Sequence, residues 1–382
     1  MSELPMMPEA VRAGTVVSAG RYIVLEKLGR GGMGEVWRAR DAVLKRDVAI
    51  KVLPAGSRPA LKEYFEREAL AMARVKSEHV VEIHDVGRLE GEDTSSFLVM
   101  ELVEPVTTLA ALKGELASDP VRAVRFFVQA TEGLAAIHRR GIVHRDVKPA
   151  NLLVAHRHET GRNVLKVADF GVALYPDDPA DVQPAVGTMG YAAPEQMRLE
   201  AVDARADVYA LGVTMYEVLT GRRPHTREEI VAWWRDRHEP EGFLRTLPEV
   251  VPASLRNPAV PEALSVVVQA CLAHAIERRP RSMGALRFSL EDVLERVLGV
   301  PLAERSGPPC NETAVDARVQ LADLAEAMLV DGTLLDEERT FLFERALSLG
   351  IAPEAAGPLV EELFAEAWRR RRSEAATVLV NE

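Results

Sequence analysis

The sequence predicts an α+β chain built as a small β-rich N-terminal lobe with one helix, a larger helical lobe, and a small all-α domain at the C-terminal end. Three observations lead there. Short apolar runs separated by Gly-rich or charged segments fill residues 22–53, long helical periodicity takes over after Pro105, and a Pro/Gly cluster at 299–311 precedes a renewed helical pattern. The size supports it: 382 residues, 47% hydrophobic and 27% charged, suffice for two or three compact units and exclude a disordered or fibrous chain.

Taken in order, residues 1–19, with Pro5, Pro8 and Gly14, read as a flexible leader. RYIVLEKL, EVWRAR and DVAIKVL read as antiparallel strands joined by turns. Leu61, Phe65, Met72 and Val75 recur at helical spacing over 60–76, after which HVVEIHDVG and SSFLVMELV return to strand character. One helix therefore interrupts a small sheet. Beyond Pro105, helices are predicted over 121–138, 204–220, 263–276 and 283–298. Residues 299–312 have linker composition, 313–372 hold three helical stripes, and 373–382 form a tail.

Composition narrows the function classes. A net charge of -11 argues against a nonspecific polyanion binder, so no nucleic acid is expected. The uncharged run 263–276 is shorter than the roughly 20 residues a bilayer crossing needs. No membrane span and no secretory signal are expected, and the two cysteines, Cys271 and Cys310, cannot make a disulfide framework. The expected localisation is cytoplasmic.

The chemistry-bearing strings begin with LGRGGMGEV, where Gly29, Gly31 and Gly34 fit G-x-G-x-x-G. Glycines let a backbone approach phosphate oxygens with no side chain between. Because EVWRAR and a hairpin-like turn around 41–47 follow, a strand-turn-strand flap fits better than a dinucleotide-binding crossover. In DVAIKVL, Lys51 shares a strand face with Ala49 and Leu53 and is either a solvated edge lysine or the partner of Glu68. Glu68 falls within the apolar stripe of the following helix, where an unpaired carboxylate is costly. HRDVKPANLLV (144–154) and KVADFGVAL (166–174) place Asp146, Lys148 and Asn151 on one loop and Asp169 on another. Carboxylate and amide oxygens on neighbouring loops suit Mg²⁺.

With VAIK, AAPE at 192–195 and DVYALG at 207–212, these strings resemble the eukaryotic-like, bacterial-type serine/threonine protein kinase family over roughly residues 20–298. The resemblance implies the two-lobed protein kinase fold, with an N-lobe at about 20–102 and a C-lobe at about 106–298. It implies that Gly29, Gly31 and Gly34 cover the ATP phosphates, that Lys51 holds the α and β phosphates, and that Glu68 pairs with Lys51. Asn151 and Asp169 would bind Mg²⁺, with Mn²⁺ as an alternative. Asp146 would take or orient the substrate hydroxyl proton, and Lys148 would steady the phosphoryl group. Backbone groups of Glu101 and Val103 would hold adenine beneath Val36 and Ala49, and Leu28 joins the nucleotide-binding set. Glu195 with Arg279, and Asp207, would be structural, while Thr188 would support the substrate side.

One departure concerns regulation. Between Gly171 and Gly187 there is no serine or threonine, although Arg145 matches the arginine that in many relatives receives an activation-loop phosphate. Tyr175 or Thr188 could serve instead, or Asp177, Asp178 and Asp181 could give Arg145 a standing negative charge; equally, these aspartates could be a solvated loop.

In the C-terminal segment, DGTLLDEE invites a calcium-loop reading through Asp331, Gly332 and Glu338, but Ala327 and Leu329 would occupy the first ligand positions and carry no side-chain oxygen. The segment looks more like a turn of a tellurite-resistance-type helical domain. Arg369 to Arg372 either grip a phosphate-bearing partner or complement the helix dipole. The expected function is an ATP- and Mg²⁺-dependent protein serine/threonine kinase in intracellular signalling, acting on Ser/Thr-carrying proteins and regulated by a protein bound through residues 313–372. The competing reading is a pseudokinase-type nucleotide-binding scaffold acting through that helical domain.

Overall fold

A computed structural model describes residues 12–300, apart from 19, 32–33, 54–56, 58, 90–94, 105, 158–161, 170–189, 199 and 237–246. Beyond 300 it describes 318, 321–322, 325, 336–348 and 351–380. The N-terminal part is an antiparallel sheet of β1 (Val16–Val17), β2 (Tyr22–Gly31), β3 (Gly34–Asp41), β4 (Arg46–Val52), β5 (Ile83–Arg88) and β6 (Ser96–Glu101), in the order β1-β2-β3-β4-β6-β5. Alternation sets its core: Val48, Ile50 and Val52 of β4 pack with Tyr22, Val24, Trp37, Ala39, Phe97 and Val99. On the opposite face Ala49, Lys51 and Leu53 are buried as well, so this central strand is covered on both sides.

The predicted helix is α1 (Pro59–Met72), whose Phe65, Ala69 and Met72 are buried. The sequence reading missed how it is tied down. Glu66 receives two hydrogen bonds from Arg88 of β5, at 2.7 and 2.8 Å, and one from the Ser96 hydroxyl of β6 at 2.9 Å.

A second sheet joins β7 (Val106–Thr108), β8 (Leu152–Arg157) and β9 (Arg162–Val167) in that order. It is also tied to residues 79–81: Val81 N–H donates to the Val167 carbonyl at 3.0 Å, and Val167 N–H donates to that of His79 at 2.9 Å. The helices are α2 (Leu109–Leu116), α3 (Pro120–His138), α4 (Pro194–Met197), α5 (Arg205–Thr220), α6 (Arg227–Asp236), α7 (Ala253–Arg256), α8 (Glu262–Cys271) and α9 (Met283–Asp292). Trp233 of α6 is buried with Ala192, Met197, Ile230 and Leu247. Among the described residues no helix is long and apolar enough to cross a membrane.

Two predicted helices are corrected. The one expected over 263–276 stops at Cys271, where the ladder tightens to three-residue bonds, Ala273 N–H donating to the Ala270 carbonyl at 3.3 Å, and beyond it the Arg279 guanidinium donates to the Ala273 carbonyl at 2.7 Å and the His274 carbonyl at 3.3 Å. Those carbonyls therefore have a partner outside a continued helix. The one expected over 283–298 begins at a Ser282 cap, whose hydroxyl accepts from Ala285 N–H, and passes after Asp292 into a π turn at Val293–Val297.

The chain divides into two compact units, Met1–Leu112 with Ala136–Ala210 and His225–Pro248, and Lys113–Ala135 with Leu211–Pro224 and Glu249–Glu382. The second holds the C-terminal helices α10 (Asp336–Ser348) and α11 (Pro353–Val380). There Leu321, Ala325, Leu342, Ala346, Ala356, Val360 and Leu363 form a core against which Phe288 of α9 is partly buried. Asp331 and Gly332 and the side chains of Glu338 and Arg369 to Arg372 lie outside the described residues, as does the linker from 301.

Gly212 marks a close helix approach in that unit. A Cβ there would meet the Cβ of Cys271 at 2.6 Å. Gly212→Ala is therefore expected to destabilise the protein by about 1–3 kcal/mol through overpacking, read as a lower denaturation midpoint in urea at unchanged slope.

Candidate active site

The site is built outward from one carboxylate. Asp207, in the first turn of α5, has no exposure to water and accepts hydrogen bonds from His144 N–H and Arg145 N–H, both at 2.7 Å, with His138 Nε2 also at 2.7 Å. Burial alone would push its pKa up, but the His138 hydrogen bond, the two histidines and the backbone donors outweigh that and hold it below 3.8. These bonds fix the loop at Arg145, whose φ of 65° is left-handed and strained for a side-chain-bearing residue. His144 in turn reaches the Ala168 carbonyl with Nε2 at 3.1 Å, while its Nδ1 accepts from Asp146 N–H at 3.3 Å.

On this frame the sequence-predicted residues converge. Lys148 Nζ donates to Asp146 Oδ2 at 2.7 Å. Asn151, in a 3-10 turn begun by Pro149, spends its amide nitrogen on the Asp146 carbonyl at 2.8 Å, Asp146 Oδ2 at 2.9 Å and the Asp169 carbonyl at 3.5 Å. This leaves the Asn151 Oδ1 as the atom that can face a cation. Lys51, 7% exposed, is no solvated edge lysine: its Nζ donates to Asp169 Oδ1 at 2.7 Å. Burial would raise the Asp169 pKa, but Lys51, then Lys148 and His144, lower it, so the group is held ionised. Asp169 also sits at a left-handed φ of 58°.

The glycine flap separates two roles. Gly34 has φ 140°, and a Cβ on it would lie 2.0 Å from the Val52 carbonyl oxygen, so the fold itself demands glycine there. Gly29 faces open space, and neighbouring Leu28 is 47% exposed, as suits a backbone and an apolar side chain that a ligand covers. Gly31 pairs with Gly34 at the end of the hairpin. Val36 lies beside Lys51 in register and Ala49 is buried. Below, Val103 packs with Val81, Ala155 and Ala168, with Met100 and Leu153 partly buried against them. Leu153 and Ala168 were not singled out from the sequence; their signal was their place two residues after Asn151 and directly before Asp169. The Glu101 N–H is taken by the Glu82 carbonyl at 2.8 Å, which leaves its carbonyl as the backbone group available to a base.

The donor set fits a hard divalent cation, since Asp169 is held ionised and Asn151, its amide nitrogen already used, has its oxygen to offer. Asp146 Oδ1 is buried and has no hydrogen-bond partner, although a buried carboxylate oxygen ordinarily has one. The Glu68 side chain, Tyr175, Asp177, Asp178, Asp181 and Thr188 lie outside the described residues. Glu195 and Arg279 are both buried.

Residues 22–289 match the protein kinase domain family, and the chain belongs to that family. It is 37% identical over 279 residues to the serine/threonine-protein kinase PknB of Mycobacterium tuberculosis, an overlap covering 71% of this chain and 42% of that protein. It is 35% identical over 369 residues to serine/threonine-protein kinase A of Synechocystis, covering 90% of this chain and 63% of that one. The chain thus spans less than two thirds of these relatives' length. Among solved structures, the PknI kinase domain of M. tuberculosis matches with a TM-score of 0.56 at 26% identity, over 74% of this chain and 99% of that domain.

Since the Asp207 pKa is depressed, its contribution to stability is complete above 3.8 and is lost as pH falls through the lower folded value. Asp207→Asn is expected to cost roughly 2–4 kcal/mol at neutral pH, with the gap to wild type narrowing as both are acidified to about pH 3, measured by denaturant titration at each pH.

Proposed function

We propose that this chain is an ATP- and Mg²⁺-dependent protein serine/threonine kinase, moving the γ-phosphoryl group of ATP to a hydroxyl of a protein substrate. The observation that carries this is the convergence of Lys51, Asp146, Lys148, Asn151 and Asp169 into one hydrogen-bonded cluster with a buried, unpartnered Asp146 oxygen. Similarity to serine/threonine kinases and the lysine two residues after Asp146 support the subclass.

In this reading Asp146 Oδ1 accepts the proton of the incoming hydroxyl as that oxygen bonds to phosphorus and the β–γ bridging oxygen departs. Lys148, already at the carboxylate, lies beside the path of the transferring group and offsets its negative charge. Lys51 orients Asp169 and holds the α and β phosphates, with Glu68 as its second partner. Asn151 Oδ1 and Asp169 would hold the divalent ion, which supplies a hard positive charge shared with phosphate oxygens. Leu28, Gly29, Gly31, Gly34, Val36 and Ala49 cover the nucleotide, and backbone groups of Glu101 and Val103 hold the base. Residues 313–372 are the regulatory surface, and the cytoplasm, where ATP is available, is the site of action.

Purified protein incubated with labelled ATP, Mg²⁺ and a generic protein acceptor is expected to label the acceptor on serine or threonine. Asp146→Asn and Lys51→Met should each lower turnover by about 10²-fold or more, some 2.7 kcal/mol of barrier. Equal labelling by all three proteins would reduce the chain to a nucleotide-binding scaffold or the signal to a contaminant.

A further inference from the structure

Among the buried charges that the reaction just described leaves unused, one lies beside the site. Lys166 lies on β9, three residues before Asp169, with its side chain 7% exposed. Its Nζ is 3.0 Å from Glu101 Oε2, and the same oxygen accepts from Glu82 N–H at 3.3 Å. The Glu101 N–H returns to the Glu82 carbonyl at 2.8 Å, so Glu101 is held through both its backbone and its side chain.

Charged groups are not buried for stability alone: desolvation of such a pair roughly cancels its attraction, and an apolar pair of similar volume would serve the core as well. What the pair adds is a fixed geometry. At one end is Glu101, which carries the backbone proposed to meet the base. At the other is the strand that leads into Asp169 and whose Lys166 stands opposite Leu153 of the apolar slot. The backbone bonds of residues 79–81 to Val167 lock the same junction from a third side.

We infer that the Lys166–Glu101 ion pair is a positioning device that holds the base-binding backbone in register with Asp169, the proposed metal ligand, and so sets nucleotide affinity. Lys166 touches neither nucleotide nor substrate. The inference rests on the kinase reading for its ligand but not for its test, because binding can be measured without turnover.

The experiment compares full-length wild type, Lys166→Met, Glu101→Gln and the double variant in two assays, KM for ATP with kcat, and the Kd of Mg²⁺-ADP by calorimetry, alongside thermal melting. Each single variant is expected to raise KM and Kd roughly tenfold while kcat at saturating ATP changes by about twofold or less. The double variant should be no worse than the poorer single one, since the two side chains act through one bond. Unchanged KM and Kd in folded variants, or effects that simply multiply in the double variant, would overturn the inference, as would a lower melting temperature with unaltered nucleotide binding. If Lys166→Met fails to fold, Glu101→Gln carries the same comparison. Weakened Mg²⁺-ADP binding in the variants of a wild type without phosphotransfer would sink the kinase reading and leave this one standing.

Discussion

A carboxylate sealed from water must find donors, and Asp207 finds them in the backbone of the loop it supports. Two N–H groups in succession, His144 and Arg145, point at its two oxygens. Directly after the second of these bonds the chain takes a left-handed turn, with Arg145 at φ 65°. Such a conformation costs on the order of 1–3 kcal/mol and persists only where surrounding bonds over-determine it. The strain falls on the residue immediately before Asp146. The orientation of the candidate base is thus inherited from a helix residue 61 positions away in sequence, and the carboxylate that imposes it takes no part in the chemistry.

The second loop is braced to the first rather than to the solvent. His144 Nε2 meets the Ala168 carbonyl, Ala168 N–H meets the Asn151 carbonyl at 2.9 Å, and the Asn151 amide approaches the Asp169 carbonyl. Asp146 and Asp169 are therefore carried by one cross-linked body, and Asp169 too is held at positive φ. Preorganisation of this kind keeps oxygen atoms in place before charge develops, which is where an electrostatic site gains its advantage over water.

Much of this was legible in the sequence. The alternation of DVAIKVL, the glycine spacing and the two loop strings placed Lys51, Asp146, Asn151 and Asp169, because local pattern and residue chemistry are both short-range signals. Interactions that depend on long-range partners were not legible. Nothing local in Glu66 announces Arg88 and Ser96, nothing in Arg279 announces that its guanidinium holds the carbonyls beyond α8, and the three residues of β7 are too few to show a period. Gly29 and Gly34 of the flap look alike in the motif. Only the packing against the Val52 carbonyl separates Gly34, which the hairpin requires, from Gly29, which leaves space open.

Three ion pairs in and beside the candidate site are of one kind. Lys51 with Asp169, Lys148 with Asp146, and Lys166 with Glu101 are each lysine–carboxylate pairs at or next to the candidate site, and two of the three join residues from different strands or loops. If their role were cohesion, apolar residues would do as well or better, since desolvation consumes most of the attraction. An ion pair fixes direction and distance in a way that an apolar contact, tolerant of sliding, does not. A reaction that is mostly positioning, with little covalent work for the protein, needs that property at each place where the nucleotide is gripped. These three pairs therefore stand where the proposed ligand would ask for fixed geometry, and the apolar core is left to hold the sheets and helices together.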